Sequence, residues 1–445
     1  MTQVRGAPDI IVIGAGAAGL MAAAELLAAG LSVTLLEARD RIGGRIWTRR
    51  ETGVAVPIEL GAEFVHGHAP ITEGLLTAAG ATVIEAAGSH FGLEAGELRP
   101  ENRFFPHIRA AMQKHREALA RRDLSFDAFL DQLAEVLTPA QRDYARLMAE
   151  GFDAADTSRA SARALLAEWT SDVIGSSPQA RPREGYEALL AAHMARLQGE
   201  RLRLLLQAPV HSIRWSRGAV EVAGEFCGAA FALHAPRVLI TLPLGVLQQP
   251  AGAAGAVHFS PALAAKRAAL EGLASGPIIK LLLRFADSFW ETLHEGRFRD
   301  AGFFHVQHAP FPTFWTPAPA RAPLLTAWAG GPRALRLAHD PGRCGAFRQA
   351  LASLEALFGE GLDIASELRA YYYHDWQQDP YARGAYSYVT VGASEARQVL
   401  AQPIEDTLFF AGEATDAEEE GTVTGALQSG VRAAREVLAA SGVRR

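Results

Sequence analysis

Along the chain, apolar residues fall into two kinds of run. Ile10 to Ile13 and Val33 to Leu36 are short and wholly apolar, which suits strands buried on both faces of a parallel sheet. Between them, Ala22 to Leu27 continues as a helix, giving the strand-helix-strand start of a doubly wound α/β unit. From Pro106 to Leu166 the spacing becomes amphipathic and helical, as in HIRAAMQKHREALARR and SFDAFLDQLAEVL, whose basic positions form a solvated face. Strand signals return at Val210 to Trp215, Val220 to Val222 and Val238 to Leu242, where Pro243 ends the run. GPIIKLLLRF, Gly276 to Phe285, does not alternate and reads as a strand buried on both faces, followed by strands in FFHVQH and LLTAWAG. The chain closes through a helix from Cys344 to Phe358, a strand from Leu368 to Tyr373, and a last helix opened by Thr422 to Gly425 and running to Leu438. No repeat or low-complexity linker separates these parts, so two interwoven domains fit better than two consecutive ones. One comprises residues 1–70, 198–270 and 384–445, and the other 71–197 and 271–383.

Length and charge narrow the function classes. A chain of 445 residues can bury a large core, and a formal charge of -6 supplies no basic footprint for nucleic acid. Cys227 and Cys344 are far apart and in no zinc or redox spacing, which suits a reduced compartment without metal. The apolar stretch Ile10 to Ala28 is broken by glycines, and no other segment approaches the roughly 20 apolar residues of a membrane span. A soluble, cytoplasmic protein, monomer or homodimer, is the expectation.

Candidate chemistry begins directly after the first strand. Gly14, Gly16 and Gly19 have the GxGxxG spacing: the first permits a tight turn, the second lets backbone approach a pyrophosphate, and the third lets helix pack on strand. Glu37, ending the second strand, is placed for a ribose hydroxyl pair and disfavours a 2′-phosphate. This points to a dinucleotide, with NAD and FAD both open. RDRIGGR then brings Arg39, Gly44 and Arg45, either as further phosphate contacts or as a solvated basic turn. Lys280 lies among Ile278, Ile279, Leu281 and Leu282. Burying an ammonium there costs several kcal/mol unless it is paired, so it either serves a function or snorkels outward.

The motifs GAGAAGL, EARDRIGGR, ELGAEFVHG, REGYEALL, TLPLGVL, the Lys280 strand, DWQQDPYARGAYSYV and LFFAGEAT with TVTGAL occur in this order over nearly the whole chain. In them the sequence resembles the flavin-dependent amine oxidases, the polyamine oxidases and lysine-specific histone demethylases more than the monoamine oxidases. The resemblance implies an α/β fold in which a Rossmann-type FAD-binding domain interleaves with an α+β substrate-binding domain. It also implies FAD as cofactor, an amine and O2 as partners, and neither nucleic acid nor membrane. Cofactor contacts are implied at Gly14, Gly16, Gly19, Glu37, Arg39, Gly44, Arg45, Gly61, Ala62, Val210, Trp376, Gly412, Glu413, Thr422 and Val423. Lys280 matches the lysine that holds a water against flavin N5 and assists reoxidation by oxygen. Tyr386 matches one aromatic wall of the substrate cage, whereas Thr422 stands where monoamine oxidases carry the second, so the opening is expected to be roomier. His66 matches a position that meets a substrate nitrogen, against an alternative as a structural histidine. Ala385 stands in place of the cysteine that binds flavin covalently, so the FAD is expected to be noncovalent.

The activity so implied is transfer of a hydride equivalent from the carbon next to an amine nitrogen to flavin N5. The imine hydrolyses, and oxygen becomes hydrogen peroxide. Polyamines such as spermine or spermidine are favoured. Small monoamines, amino acids, and a dehydrogenase or desaturase using another acceptor are the alternatives, together with a structural flavin. Histone demethylation is disfavoured because the sequence shows no tower or chromatin-docking segment. Glu63 has no role assigned, and Glu418 to Glu420 is either an acidic rim that attracts cations or a solvated loop.

Overall fold

A computed structural model describes residues 7–100, 105–171, 179–338, 343–359 and 362–443. Its first layer is a parallel sheet of five strands in the order Leu408–Phe410, Val238–Ile240, Ile10–Ile13, Val33–Leu36, Leu202–Leu205. Every residue of Ile10–Ile13 and Val33–Leu36 is buried, as doubly covered strands require. The helix Ala17–Ala28 packs on this sheet beside the C-terminal helix Val423–Ala440, and Leu20, Leu26, Val437 and Leu438 share their core. Each such side chain contributes about 1.5–3 kcal/mol by leaving water.

Chain order places the ligand crevice. From the central strand Ile10–Ile13 the chain moves to one neighbour, Val33–Leu36, and only much later to the other, Val238–Ile240. Such a reversal opens a crevice beyond the carboxyl ends of the strands. Gly14, Glu37, Thr241 and Gly412 follow four of those ends and line one cavity. The strand expected to reach Leu242 stops at Ile240, because Thr241 turns its hydroxyl to the carbonyls of Ile13 and Gly14.

A second unit carries a sheet of seven strands, ordered Leu368–Tyr373, Ile278–Phe285, Leu324–Gly330, Thr313–Trp315, Ala301–His305, Ser89–Glu94, Glu97–Pro100. Strand side chains alternate between faces. In Ile278–Phe285, Ile279, Leu281 and Leu283 enter the main core, whereas Ile278 and Lys280 turn toward the cavity. The run looked uniformly apolar because a core covers one face and the cavity wall covers the other.

Helices Phe105–Gln113, Phe126–Gln132, Pro139–Gly151 and Ala162–Trp169 pack around Phe126, Phe129, Leu130 and Trp169. Pro139–Gly151 starts with a capping box: Thr138 Oγ1 accepts from the Gln141 N–H, and Gln141 Oε1 accepts from the Thr138 N–H. Its end is anchored by Trp328, which donates to the Gly151 carbonyl at 2.7 Å. The next two residues, Phe152 and Asp153, reach the cavity wall.

Candidate active site

A single cavity of about 890 Å³ runs from the parallel sheet to the second unit. At its first end the helix Ala17–Ala28 begins at Gly16 with no side-chain cap, so its first N–H groups and its positive dipole face the cavity. Gly14 has φ +103°, a conformation that favours glycine, and a Cβ there would meet Thr241 Oγ1 at 2.5 Å. A Cβ on Gly19 would lie 1.8 Å from the Gly14 carbonyl oxygen, so this glycine serves helix-on-strand packing rather than contact. At Gly16 a Cβ would meet nothing nearer than 4.0 Å, which leaves the backbone open to a ligand. The helix begins five residues ahead of the expected Ala22, because the glycine turn itself forms its N-terminus.

Glu37 is 4 % exposed, and its carboxylate accepts from the backbone N–H groups of Ala15 and Arg39, each at 2.9 Å. That fixes its direction at the cavity wall. Arg39 turns to Asp379 at 2.7 Å, and His374 and Arg39 hold that carboxyl below its usual range against the opposing effect of burial. Arg45 Nη1 donates to Glu413 Oε1 at 2.9 Å, so two residues expected to meet the cofactor separately are paired. Glu413 Oε2 takes the N–H and hydroxyl of Ser387. Burial raises the Glu413 carboxyl, but Arg45 and Arg397 outweigh it and leave it below its ordinary value.

The uncapped helix start, the open backbone at Gly16 and Gly412, and the oriented Glu37 fit a dinucleotide with its pyrophosphate at the helix and a ribose at the carboxylate. The remaining volume reaches Gly61, Ala62, Val210, Trp376, Thr422 and Val423, which suits a flavin. Of the cofactor contacts expected from the sequence, all but Gly19 line the cavity.

Lys280 does not snorkel. Its Nζ donates to Glu63 Oε2 at 2.7 Å and to the Gly61 carbonyl at 3.1 Å, with its side chain 2 % exposed. Glu63 Oε1 accepts from Trp315 Nε1 at 3.0 Å and lies 3.1 Å from Arg181. Burial would raise the Glu63 carboxyl, but Lys280 and Arg181 prevail and lower it. Glu63 therefore pairs the buried ammonium. Nearby, Glu59 is pushed up to about 7 by burial while accepting from the Tyr186 N–H and the Thr48 hydroxyl.

Trp376 Nε1 donates to the Leu60 carbonyl at 2.9 Å, and its ring meets His374 edge-on at 4.4 Å. Tyr386 lines the cavity with its hydroxyl held by the Phe152 carbonyl at 2.7 Å. Thr422 caps the last helix, accepting from the Gly425 N–H at 2.9 Å. His66 packs against Phe152, and burial lowers its imidazole to about 4, so it is neutral at ordinary pH. The acidic run is not a uniform solvated rim: Glu418 is exposed, Glu419 is buried, and Glu420 pairs with Arg397 at 2.5 Å. Asp153 and Glu168, which sequence reasoning missed, also line the cavity, as does Trp315. A lone acid in an alanine-rich helical stretch carries no spacing signal.

A parallel-sheet unit with a dinucleotide crevice, opening onto a cavity walled by aromatics and buried charge, is the arrangement of a flavoprotein oxidoreductase. A profile of the family described as flavin containing amine oxidoreductase matches residues 17–438, and the chain belongs to this family. Its cofactor is FAD. The chain is 30 % identical over 471 residues to lysine-specific histone demethylase 2 of Homo sapiens, covering 97 % of this chain and 53 % of that protein. It is 29 % identical over 471 residues to the probable polyamine oxidase 4 of Arabidopsis thaliana, covering 96 % and 86 %. The chain thus spans about half the length of the human and mouse demethylases it matches. Among solved structures, a putrescine oxidase bound to putrescine superposes with TM-score 0.79 at 21 % identity, covering 98 % of this chain and 99 % of that one. Cyclohexylamine oxidase from Brevibacterium oxydans superposes with TM-score 0.78 at 22 % identity, covering 99 % and 100 %. Both likenesses concern the fold. Among the described residues, no helix is long and apolar enough to cross a membrane.

Proposed function

We propose that the protein is an FAD-dependent amine oxidase that acts on the carbon next to an amine nitrogen, prefers polyamines such as spermine or spermidine, and uses O2 with release of hydrogen peroxide. The observation that carries this reading is the continuity of one cavity, from the helix start and Glu37 through Lys280 and Tyr386 to the carboxylates Asp153 and Glu168. A cofactor cradle opening onto buried acid suits a substrate that arrives as a cation. FAD, when bound, supplies the two-electron acceptor.

The chain's own residues bind, orient and exclude water. We assign Gly14, Gly16, Glu37, Arg39, Gly44, Arg45, Gly61, Ala62, Val210, Gly412, Glu413 and Val423 to the cofactor, with Gly19 supporting the turn. Trp376 and Tyr386 wall the reacting region, and the short Thr422 leaves its far side open. His66, neutral and within 3.4 Å of Gln179, offers a ring nitrogen to the substrate amine without repelling it. Lys280, held by Glu63 and the Gly61 carbonyl, keeps a fixed positive charge where oxygen chemistry needs one. Ala385 offers no thiol, so the FAD is held noncovalently; acid precipitation releases it to the supernatant, and flavin in the pellet contradicts this.

Peroxide release over a panel of polyamines, monoamines, amino acids and a methyl-lysine peptide tests the reading. Turnover of spermine or spermidine above the rest is the expected result, and turnover of amino acids alone overturns it.

A further inference from the structure

Glu413 is served by two arginines, one at the cavity wall and one buried behind it. Arg45 lines the cavity with its side chain 26 % exposed, and its Nη1 donates to Glu413 Oε1 at 2.9 Å and to the Ala385 carbonyl at 2.5 Å. Arg397, on the helix Ala396–Ala401, has its side chain 3 % exposed. It reaches the Glu413 carboxylate through Ser387: its Nη1 donates to Ser387 Oγ at 2.7 Å, and that hydroxyl donates to Glu413 Oε2 at 2.6 Å. The same Nη1 meets the Glu413 backbone carbonyl at 3.4 Å, while Nη2 donates to the Ser387 carbonyl at 2.9 Å and pairs with Glu420 Oε2 at 2.5 Å. One guanidinium thus ties the strand Tyr386–Val389 and the loop before the last helix to the turn that presents Glu413.

The two arginines are not equivalent. A guanidinium at an open wall can exchange a carboxylate for an anionic group of a ligand, since its planar fork fits both. Once Arg45 makes that exchange, Glu413 keeps the N–H and hydroxyl of Ser387, and Arg397 is the positive charge that remains beside it. The other charged or titratable groups on the elements packed around Glu413 are engaged elsewhere. Arg432 of the last helix pairs with Glu436 and donates to the Phe410 carbonyl, and Tyr386 gives its hydroxyl to the Phe152 carbonyl. Tyr388 packs into the helical core with Trp169, and Glu420 faces Arg397. Burial disfavours the ionised form of Glu413, and Arg45 and then Arg397 oppose it.

We propose that Arg397 is a positioning residue for the cofactor: acting through Ser387, it fixes the Glu413 carboxylate as an acceptor for hydroxyl groups of FAD and so allows Arg45 to leave Glu413 for an anionic group of FAD. This rests on the assignment of Glu413 and Arg45 to the cofactor. Without the guanidinium, burial raises the Glu413 carboxyl, so its ionised form is present at higher pH and lost as pH falls. A protonated carboxyl gives up acceptor capacity, and the hold on the cofactor weakens with it. A merely structural Arg397 would weaken that hold equally at every pH.

The hold is read as the rate at which the holoenzyme releases FAD on dilution, followed by recovery of flavin fluorescence and divided by the wild-type rate at the same pH. Arg397→Met is expected to release FAD about 30-fold faster than wild type at pH 8, and faster by a further factor of about ten at pH 6. In the double variant Arg397→Met, Glu413→Gln the ratio is expected to be the same at both pH values, because the titrating group is gone. Arg397→Lys keeps the charge and is expected to remove most of the pH dependence. For Arg397→Met, a ratio of one, or a ratio that is the same at pH 8 and pH 6, overturns the proposal. Should that variant fail to fold, Ser387→Ala decides, since it cuts the relay at the cost of one hydroxyl. Its ratio is expected to rise at least about fivefold from pH 8 to pH 6, and an unchanged ratio contradicts the proposal. If Glu413→Gln alone releases FAD as slowly as wild type, the assignment of Glu413 to the cofactor fails and this inference with it; if Glu413→Gln releases FAD faster while Arg397→Met does not, this inference alone fails.

Discussion

The two ends of the cavity are made from different materials. At the dinucleotide end the contacts come mostly from backbone, because Gly14 and Gly16 expose main chain and a helix start supplies N–H groups. At the far end the contacts come from charged side chains that meet across long stretches of sequence: Glu63, Arg181 and Lys280 form one cluster, and Asp153, Glu168, Glu420 and Arg397 another. The main-chain donors of the first kind of site carry no proton that titrates in the ordinary pH range. The second depends on which protons are present.

The largest expected effect breaks the backbone end. Gly19→Val places a Cβ 1.8 Å from the Gly14 oxygen and a branched side chain beyond it, so the protein should keep essentially no flavin through gel filtration. A yellow, fully loaded variant would show that this turn does not form the cradle.

Next comes the charged centre. Lys280→Met leaves Glu63 with Arg181 and Trp315 only, and removing one partner of a buried pair costs about 3–5 kcal/mol of stability. Stopped-flow reoxidation in air should slow on the order of 100-fold, the scale of a lost preorganised charge. The double variant Glu63→Gln, Lys280→Met should recover part of the stability, with a coupling of about 1–3 kcal/mol by denaturant titration. Strict additivity would mean that the two groups do not interact.

A smaller effect separates the ends by pH. Glu59 and Asp153 are both pushed up to about 7, above their unfolded values. Their contribution to stability is present at low pH and lost as pH rises through about 7, because the fold prefers the protonated forms. Glu63 and Glu413 are shifted down and stay ionised through that window. The melting temperature should therefore fall by about 2–4 °C between pH 6.5 and 8.5, and Asp153→Asn should flatten that slope. A rise in melting temperature over the window would reverse the sign of the account. Smallest of all, Thr422→Ala removes the cap accepted from the Gly425 N–H and should cost about 1 kcal/mol in denaturant titration.

Legibility in the sequence followed the same division. The GxGxxG turn, Glu37 and the strand-helix-strand start sit within 28 residues of one another, and their order states both fold class and dinucleotide. Lys280 stood out because an ammonium in an apolar strand violates its surroundings, yet its partner could not be read. Glu63 lies 217 positions away, outside any strand, and only the tertiary fold brings the two to 2.7 Å. The motifs of Arg45 and Glu413 each point to the cofactor, and nothing local announces that the two also face each other across 368 positions. Asp153 and Glu168 escaped notice for the same reason: their meaning comes from a shared cavity rather than from spacing. Burial also divided an acidic run that looked uniform, sending Glu419 inward and tying Glu420 to Arg397.

The most direct test mixes the purified holoprotein with spermidine in the absence of oxygen and follows the absorbance of the bound flavin. The account predicts bleaching at a rate that saturates with amine, and return of colour when air is admitted. A protein that carries no flavin, or whose flavin keeps its colour with every amine offered, contradicts it.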